Sequence, residues 1–313
     1  MQEDQETGLA LNLVVVLPTF NDNKSIKFIL RDLTSKVTEI FEVIVVDDGS
    51  DQEILTIKEL EKISKKISIL RLPYNCGHQI AISIGLKFAV KNFPGKTICV
   101  MDGDGEDSAN GLNTLLENFK SQSDRIHVAK RGRRVAPAWF SVCYFVYNKL
   151  FFFFTGKQLN FGNFILLPSE DAMELVKIRW LPVHFAATVI KFFETPMGIK
   201  IDRSERFQGQ SKMNFLLLCK HAYRSLMVFD DEIIKKLCGI STLTAITFGV
   251  LTCLLATENF LNAAVYRLVF IIWVSVLITF FLSVLAVACF FKSRTHSGKI
   301  ILIVDRLQKS LLP

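Results

Sequence analysis

Two long stretches near the end of the chain carry no charged side chain, Leu237 to Thr257 and Leu268 to Phe291. As a helix rising about 1.5 Å per residue, each reaches across a hydrocarbon layer of about 30 Å. A chain of 313 residues has little room to hide two such helices back to back in a globular core. The connection from Glu258 to Arg267 is short and holds one acid and one base. Lys235 and Lys236 precede the first stretch, and Lys292, Arg294 and Lys299 follow the second. Cytoplasmic flanks of membrane helices are enriched in Lys and Arg, so both flanks are expected in the cytoplasm and the short loop outside. The division expected is a cytoplasmic domain over 1–232, a two-helix membrane unit over 233–292 and a cytoplasmic tail over 293–313. The first residues, Met1 to Glu6, are acidic and show no signal-peptide pattern.

The net charge of +7 at pH 7 could suit nucleic acid. The bases, however, cluster beside the membrane-facing stretches, where anionic lipid or a phosphate-bearing substrate is the better partner. The seven cysteines are scattered, without a Cys-x-x-Cys pair. They read as reduced core or membrane residues, not as a disulfide frame or a zinc site.

Ahead of the membrane stretches, strand and helix patterns alternate. Leu11 to Leu17 is a nearly continuous apolar, β-branched run, as expected of a strand buried on both faces. Further strands are expected over 41–46, 67–72, 96–101 and 126–129. Helices are expected over 25–38, 53–65 and 80–92. This alternation predicts an α/β fold, a doubly wound and mostly parallel sheet covered on both sides. Ligands of such sheets bind beyond the carboxyl ends of the strands. The loops at 18–22, 47–51 and 102–107 all lie at such ends. Trp139 to Phe154 is rich in aromatics, with the single charge Lys149. Asn214 to Phe229 sets Lys220, His221 and Arg224 against a leucine-rich remainder. Both are expected as helices lying in the membrane interface.

The chemistry concentrates in Met101-Asp102-Gly103-Asp104-Gly105-Glu106-Asp107. An Asp-x-Asp turn at a strand end aims carboxylates at one point, which suits a hard divalent cation and, through it, a substrate's phosphates. An EF-hand register fails, because Asp107 and Asn113 stand where it needs Gly and Glu. Asp47 and Asp48 end another strand, where carboxylates can accept from a base N–H or a ribose hydroxyl. Lys130-Arg131-Gly132-Arg133-Arg134 follows a strand, with Arg131 nearest its end. Arg206, Ser211 and Lys212, around Gly209, form a second basic cluster able to neutralise a phosphate at the membrane surface.

In order along the chain, Pro18-Thr-Phe-Asn-Asp22, Asp47-Asp48-Gly-Ser-Asp51, Asn75-Cys-Gly77-His-Gln, Asp102-Gly-Asp104-Gly-Glu106 and Arg206-x-x-Gly209-x-Ser211-Lys212 resemble the glycosyltransferase family 2 enzymes with a GT-A fold. The polyprenyl-phosphate branch, which also carries membrane helices, looks most similar. The resemblance implies a nucleotide-sugar donor, a polyprenyl phosphate acceptor, and Mg²⁺ or Mn²⁺ held by Asp102, Asp104 and Glu106. It implies a nucleotide pocket lined by Pro18, Phe20 and Asp22, with Asp47 or Asp48 reading the base or ribose. Arg131, Arg206, Ser211 and Lys212 would face the phosphates, and a homo-oligomer packed through the membrane helices is implied as well. The family usually has Tyr at Phe20, Glu at Asp22 and Gln at Glu106; Phe20 can stack on a base but loses a hydroxyl, and Glu106 adds charge beside the cation. The reaction implied is a single in-line displacement with inversion at the anomeric carbon. Two other readings remain open here. A processive polysaccharide synthase would carry Gln-x-x-Arg-Trp, but Val176 stands where Arg179-Trp180 would need Gln. A membrane scaffold that kept the fold without catalysis is the other.

Overall fold

Val14 and Val16 face one side of the central sheet, and Leu13, Val15 and Leu17 face the other, all fully buried. Strict alternation along one strand thus feeds two cores at once, as a sheet covered on both faces requires. The computed structural model describes residues 12–39, 41–52, 54–131, 138–202, 204, 206–207, 215–257 and 263–311. Strands β1 (Leu13–Thr19), β2 (Phe41–Asp47), β3 (Ile67–Arg71) and β4 (Thr97–Val100) alternate with helices α1 (Asn23–Lys36), α2 (Ile57–Leu60) and α3 (His78–Asn92). Next come α4 (Ala109–Ser121), β5 (His127–Arg131), α5 (Ala138–Thr155), β6 (Phe161–Leu167), α6 (Ser169–Leu175), α7 (Phe185–Phe192) and β7 (Met197–Ile201). Helices α8 (Phe215–Met227), α9 (Asp230–Thr257) and α10 (Ala263–Leu311) close the chain.

The seven strands lie in the order β3-β2-β1-β4-β6-β5-β7. All run parallel except β6, which is antiparallel to both β4 and β5. The sheet is therefore mixed, and the reversal matters for function. It brings the start of β6 to the sheet end where the parallel strands finish. On one face pack α1 and α4; on the other pack α3, α6 and α7. Helix α3 presses close because residue 85 is glycine. A β-carbon there would lie 2.5 Å from Val16 Cγ1 and 2.8 Å from Val46 Cγ2. That approach holds the start of α3 over the carboxyl ends of β1 and β2.

The helix expected over 53–65 shrinks to the single turn of α2. Arg71 donates from Nη2 to the Leu55 carbonyl at 2.7 Å, and Glu59 N–H turns to the Thr56 carbonyl instead. Arg71 thus ties Leu55 to the end of β3, and the helical bonds begin only from the Thr56 carbonyl. The segment expected as a tail continues α10 as far as Leu311. Ile300, Val304 and Leu307 are buried in the same core as α3. Helix α9 starts and α10 ends against the α/β domain, so the pair leaves it and returns. Among the described residues no helix is long and apolar enough to cross a membrane. Side chains of α9 and α10 are described over 230–247, 249–250, 268–281 and 298–307. The two membrane spans expected from the sequence thus have no support from the described residues.

Candidate active site

The acidic turn sits beyond β4, at the middle of the sheet. Asp102 N–H donates to Asp107 Oδ2 at 2.8 Å, and Glu106 N–H donates to Asp104 Oδ1 at 3.0 Å, so the turn is closed by its own carboxylates. Gly105 adopts φ +92°, in the region that favours glycine. Its open side is filled by the Phe207 ring, which a β-carbon would approach to 2.3 Å. Phe207 also stacks on Phe28, with ring centres 5.5 Å apart. Two backbone bonds complete the junction, Phe207 N–H to the Asp104 carbonyl at 3.2 Å and Ser204 N–H to the Glu106 carbonyl at 3.1 Å. The segment carrying Arg206 is thereby laid across the acids.

Arg206 bridges them. Its Nη2 lies 3.0 Å from Asp104 Oδ2 and its Nε donates to Glu106 Oε1 at 2.7 Å. Burial works against its charge, but the bond to Glu106 and the nearby carboxylates outweigh it and raise its pKa. Burial raises the Asp104 carboxyl, and repulsion from Asp102 adds to this, against the Glu106 N–H and the Arg206 charge. Among the described residues no three His, Cys, Asp or Glu side chains are grouped to hold a metal ion. Asp104 and Glu106 hold Arg206, and Asp102, near enough to Asp104 and Arg206 for their charges to interact, reaches a second set of partners on its other side.

On that other side Asp102 Oδ1 meets His78 Nε2 at 3.1 Å and accepts from Asn163 Nδ2 at 3.3 Å. Asn163 Nδ2 also lies 3.0 Å from His78 Nε2. His78 starts α3; Asn163 stands near the start of β6. His78 belongs to the Asn75-Cys-Gly77-His-Gln motif, to which the sequence reading gives no role, and Asn163 lies in no motif. The signal that could have found Asn163 is register: Ile98 pairs with Leu167 and Val100 with Ile165, and the same antiparallel register carried onward sets Asn163 across from Asp102.

The two loops beside the turn form one unit. Asn21, at φ 48°, donates its N–H to Ser50 Oγ at 2.9 Å. Its side-chain oxygen accepts from the N–H groups of Asp51 and Gln52, both at 3.1 Å, while its amide donates to Asp51 Oδ1 at 2.8 Å. Asp47 is fully buried; its oxygens accept from Ser50 N–H at 2.9 Å and Arg71 Nε at 3.0 Å. Asp48 is also buried and accepts from the Cys76 and Gly77 N–H groups at 2.7 and 2.8 Å. Burial pushes its pKa up to about 6 despite those two donors. Both acids brace loops here. Pro18 is buried, and its carbonyl packs against Gly103; Phe20 and Asp22 are half-buried at the rim. Asp22 occupies the position before α1 without a side-chain cap bond.

Arg131 ends β5, paired with Ile201 of β7 and at the same end of the sheet as Asp102. Ser211 and Lys212 lie outside the described residues. Helices α5 and α8 do form where interfacial helices were expected. Tyr147 and Ser225 share a hydrogen bond of 2.7 Å between them, and Lys236 of α9 donates to the Phe153 carbonyl. Their outer sides expose Phe145, Leu150, Phe152 and Phe153 from α5 and Phe215, Leu216 and Tyr223 from α8. Contiguous exposed apolar surface of this kind marks a partner or a membrane.

Residues 14–169 match the model of glycosyl transferase family 2. A curated relative, the uncharacterized glycosyltransferase sll0501 of Synechocystis sp., is 25% identical over 237 residues, covering 71% of this chain and 70% of its own. The undecaprenyl-phosphate 4-deoxy-4-formamido-L-arabinose transferase of Photorhabdus laumondii is 24% identical over 263 residues, covering 80% of this chain and 78% of its own. Among solved structures, glucosyl-3-phosphoglycerate synthase of Mycobacterium tuberculosis, crystallised with Mn²⁺, UDP and glucosyl-3-phosphoglycerate, superposes with a TM-score of 0.51. It is 15% identical, over 71% of this chain and 80% of that one, a likeness that shows the GT-A-like mixed α/β fold.

Proposed function

Because residues 14–169 form a glycosyl transferase family 2 domain, which makes the chain a glycosyltransferase, we propose that it moves a sugar from a nucleotide-sugar donor of the UDP-glucose or GDP-mannose type to a polyprenyl phosphate at the cytoplasmic membrane face, with inversion. The observation that carries this reading is the placement of one acid–base cluster, Asp102, Asp104, Glu106 and Arg206, at the strand ends of a domain with an exposed apolar surface on α5 and α8. The relative that bears undecaprenyl phosphate in its name supports the acceptor class. The uncharged stretches 237–257 and 268–291, framed by Lys235, Lys236, Lys292, Arg294 and Lys299, support a membrane hairpin with both ends in the cytoplasm. The apolar exposure of Leu243, Ile246, Phe270, Ile271, Phe280 and Phe281 is what such a hairpin would turn toward lipid.

In this reading Asp102 and Asp104 fit Mg²⁺ or Mn²⁺, because these ions are held by one or two carboxylates plus the oxygens of a substrate's phosphates. Burial lifts the Asp104 pKa first and repulsion from Asp102 adds to it, and a bound cation would relieve that repulsion. Such a cation, when bound, stabilises negative charge on a departing nucleoside diphosphate. The side chains do the rest. Pro18, Phe20 and Asp22 line the nucleotide pocket, and Asp47 and Asp48 keep its loops in shape. Arg206 exchanges its carboxylate partners for phosphate oxygens as the donor enters. Arg131, Ser211 and Lys212 offset the repulsion between donor and acceptor phosphates. The acceptor monophosphate is already anionic at neutral pH, so no strong general base is required. Anchoring beside the acceptor raises its effective concentration.

The test is incubation of the full chain with polyprenyl phosphate, Mn²⁺ and a panel of labelled UDP- and GDP-sugars. Label in the organic phase is expected from one donor, and none is expected from Asp104→Ala, which should still insert into membranes. Unimpaired transfer by Asp104→Ala, or no product from any donor, refutes the reading.

A further inference from the structure

Gln79 and Asn163 form a short chain of amide contacts that ends on Asp102. Gln79 is buried near the start of α3, and its Oε1 accepts from the N–H of Phe185. Phe185 opens α7, so this N–H has no partner within its own helix. The other end of the Gln79 amide, Nε2, donates to Asn163 Oδ1 at 3.3 Å. Asn163 then turns its Nδ2 toward Asp102 Oδ1 and His78 Nε2.

The orientation of both amides follows from one group that cannot be reversed. Side-chain amide oxygen and nitrogen are usually assigned from their surroundings. A backbone N–H, however, can only donate. Phe185 N–H must therefore meet the oxygen of Gln79. The Gln79 nitrogen must then meet the oxygen of Asn163, and the Asn163 nitrogen must face Asp102. Antiparallel β6 is what lets Asn163 reach that point, since it begins at the sheet end where β4 finishes.

We infer that Asn163, held by Gln79, is a positioning residue that fixes the carboxylate of Asp102 in its site-facing orientation. The inference rests on the proposed role of Asp102 toward the donor's cation, and it deepens that role. Groups that orient a metal-binding side chain typically matter by about 10- to 100-fold in affinity or activity.

The decisive variant is Gln79→Glu, nearly the same shape. Once ionised, Glu still accepts from Phe185 N–H but offers Asn163 only acceptors, so Mn²⁺ affinity is followed as pH rises through its titration. Asn163 must then flip and present its own oxygen to Asp102, which repels the carboxylate. Two readouts on the full chain separate the questions: Mn²⁺ affinity, from the electron-spin signal of free ion with UDP or GDP present, and sugar transfer. Gln79→Glu is expected to weaken Mn²⁺ binding by about 10- to 100-fold, with a melting temperature that excludes unfolding as the cause. Gln79→Ala in an Asn163→Ala background should cost nothing further, because the first residue acts only through the second. Wild-type Mn²⁺ affinity in Gln79→Glu, or additive losses in the double variant, overturns the relay. Loss of Mn²⁺ affinity in Gln79→Glu, with no transfer by the wild type, supports the relay and refutes the proposed reaction. A wild type that binds no Mn²⁺ overturns both.

Discussion

Replacing Gly85 with alanine tests how the core aims the site. Alanine is better than glycine inside a helix by about 1 kcal/mol. Against this, the new β-carbon would meet Val16 Cγ1 at 2.5 Å and Val46 Cγ2 at 2.8 Å. Both valines are fully buried, Val16 in the middle of β1 and Val46 next to the end of β2, so neither can turn away. Overpacking of this kind costs about 1–3 kcal/mol, and two contacts this close place it near the upper end. The net loss expected is roughly 2 kcal/mol, or a fall in melting temperature of about 4–8 °C at about 2–4 °C per kcal/mol. Function should fall as well. Helix α3 carries His78 and Gln79 at its start, and a shift of about 1 Å can cost about 100-fold in rate. The assay is thermal melting in detergent alongside sugar transfer. Gly298→Ala is the control, since nothing lies within 4 Å of its added carbon and only the helix gain remains. A Gly85→Ala protein that melts at or above the wild type, with full transfer, would refute the packing argument.

Glu106→Gln should loosen the segment that carries Arg206 without releasing it. Glutamine still accepts from Arg206 Nε but without charge, a loss of roughly 1 kcal/mol; hydrogen exchange at Ser204 and Phe207 should quicken about fivefold, and no change would show that Glu106 does not clasp Arg206. The part of the stability that His184 contributes should fall as pH drops below about 6.5, while Asp48 and His78, whose pKa values are raised in the fold, work the other way. His184 accepts Ala187 N–H at Nδ1, so its proton sits on Nε2, 3.1 Å from His221 Nε2. Burial, then His221 and Arg224, hold its pKa well below the ordinary value. The unfolded chain therefore takes up a proton that the folded chain refuses. Melting at pH 7.5 and 5.5 checks this, and an equally steep fall in His184→Asn would exclude His184 as a source.

The strands that deliver the acidic turn were legible because their apolar runs are unbroken: Leu13 to Leu17, Val43 to Val46 and Ile98 to Met101 are buried in the structure as expected. Helices α5 and α8 were legible from their aromatic and leucine content. What escaped depends on long-range pairing. Phe161-Gly162-Asn163 has no strand signature, and its place beside Asp102 follows only from the reversed direction of β6. Asp104 and Glu106 share a turn with Asp102, so spacing groups all three; that Arg206, distant in sequence, binds two of them follows only from the fold. Asp47 and Asp48 look ligand-facing from their position at a strand end, but Ser50, Arg71, Cys76 and Gly77 turn them inward.

The last turns of α10 bear on how the chain can be shortened. Cutting it ahead of residue 237 would discard more than the two uncharged stretches. It would strip Ile300, Val304 and Leu307 from the core they share with α3 and lay bare apolar surface there. A better plan excises the greasy middle and keeps 298–311, tethered to residue 235 through a flexible glycine- and serine-rich bridge. Enzymologists who truncate such a chain and find it aggregated or inert would then be reporting a missing lid on the core, not a missing membrane.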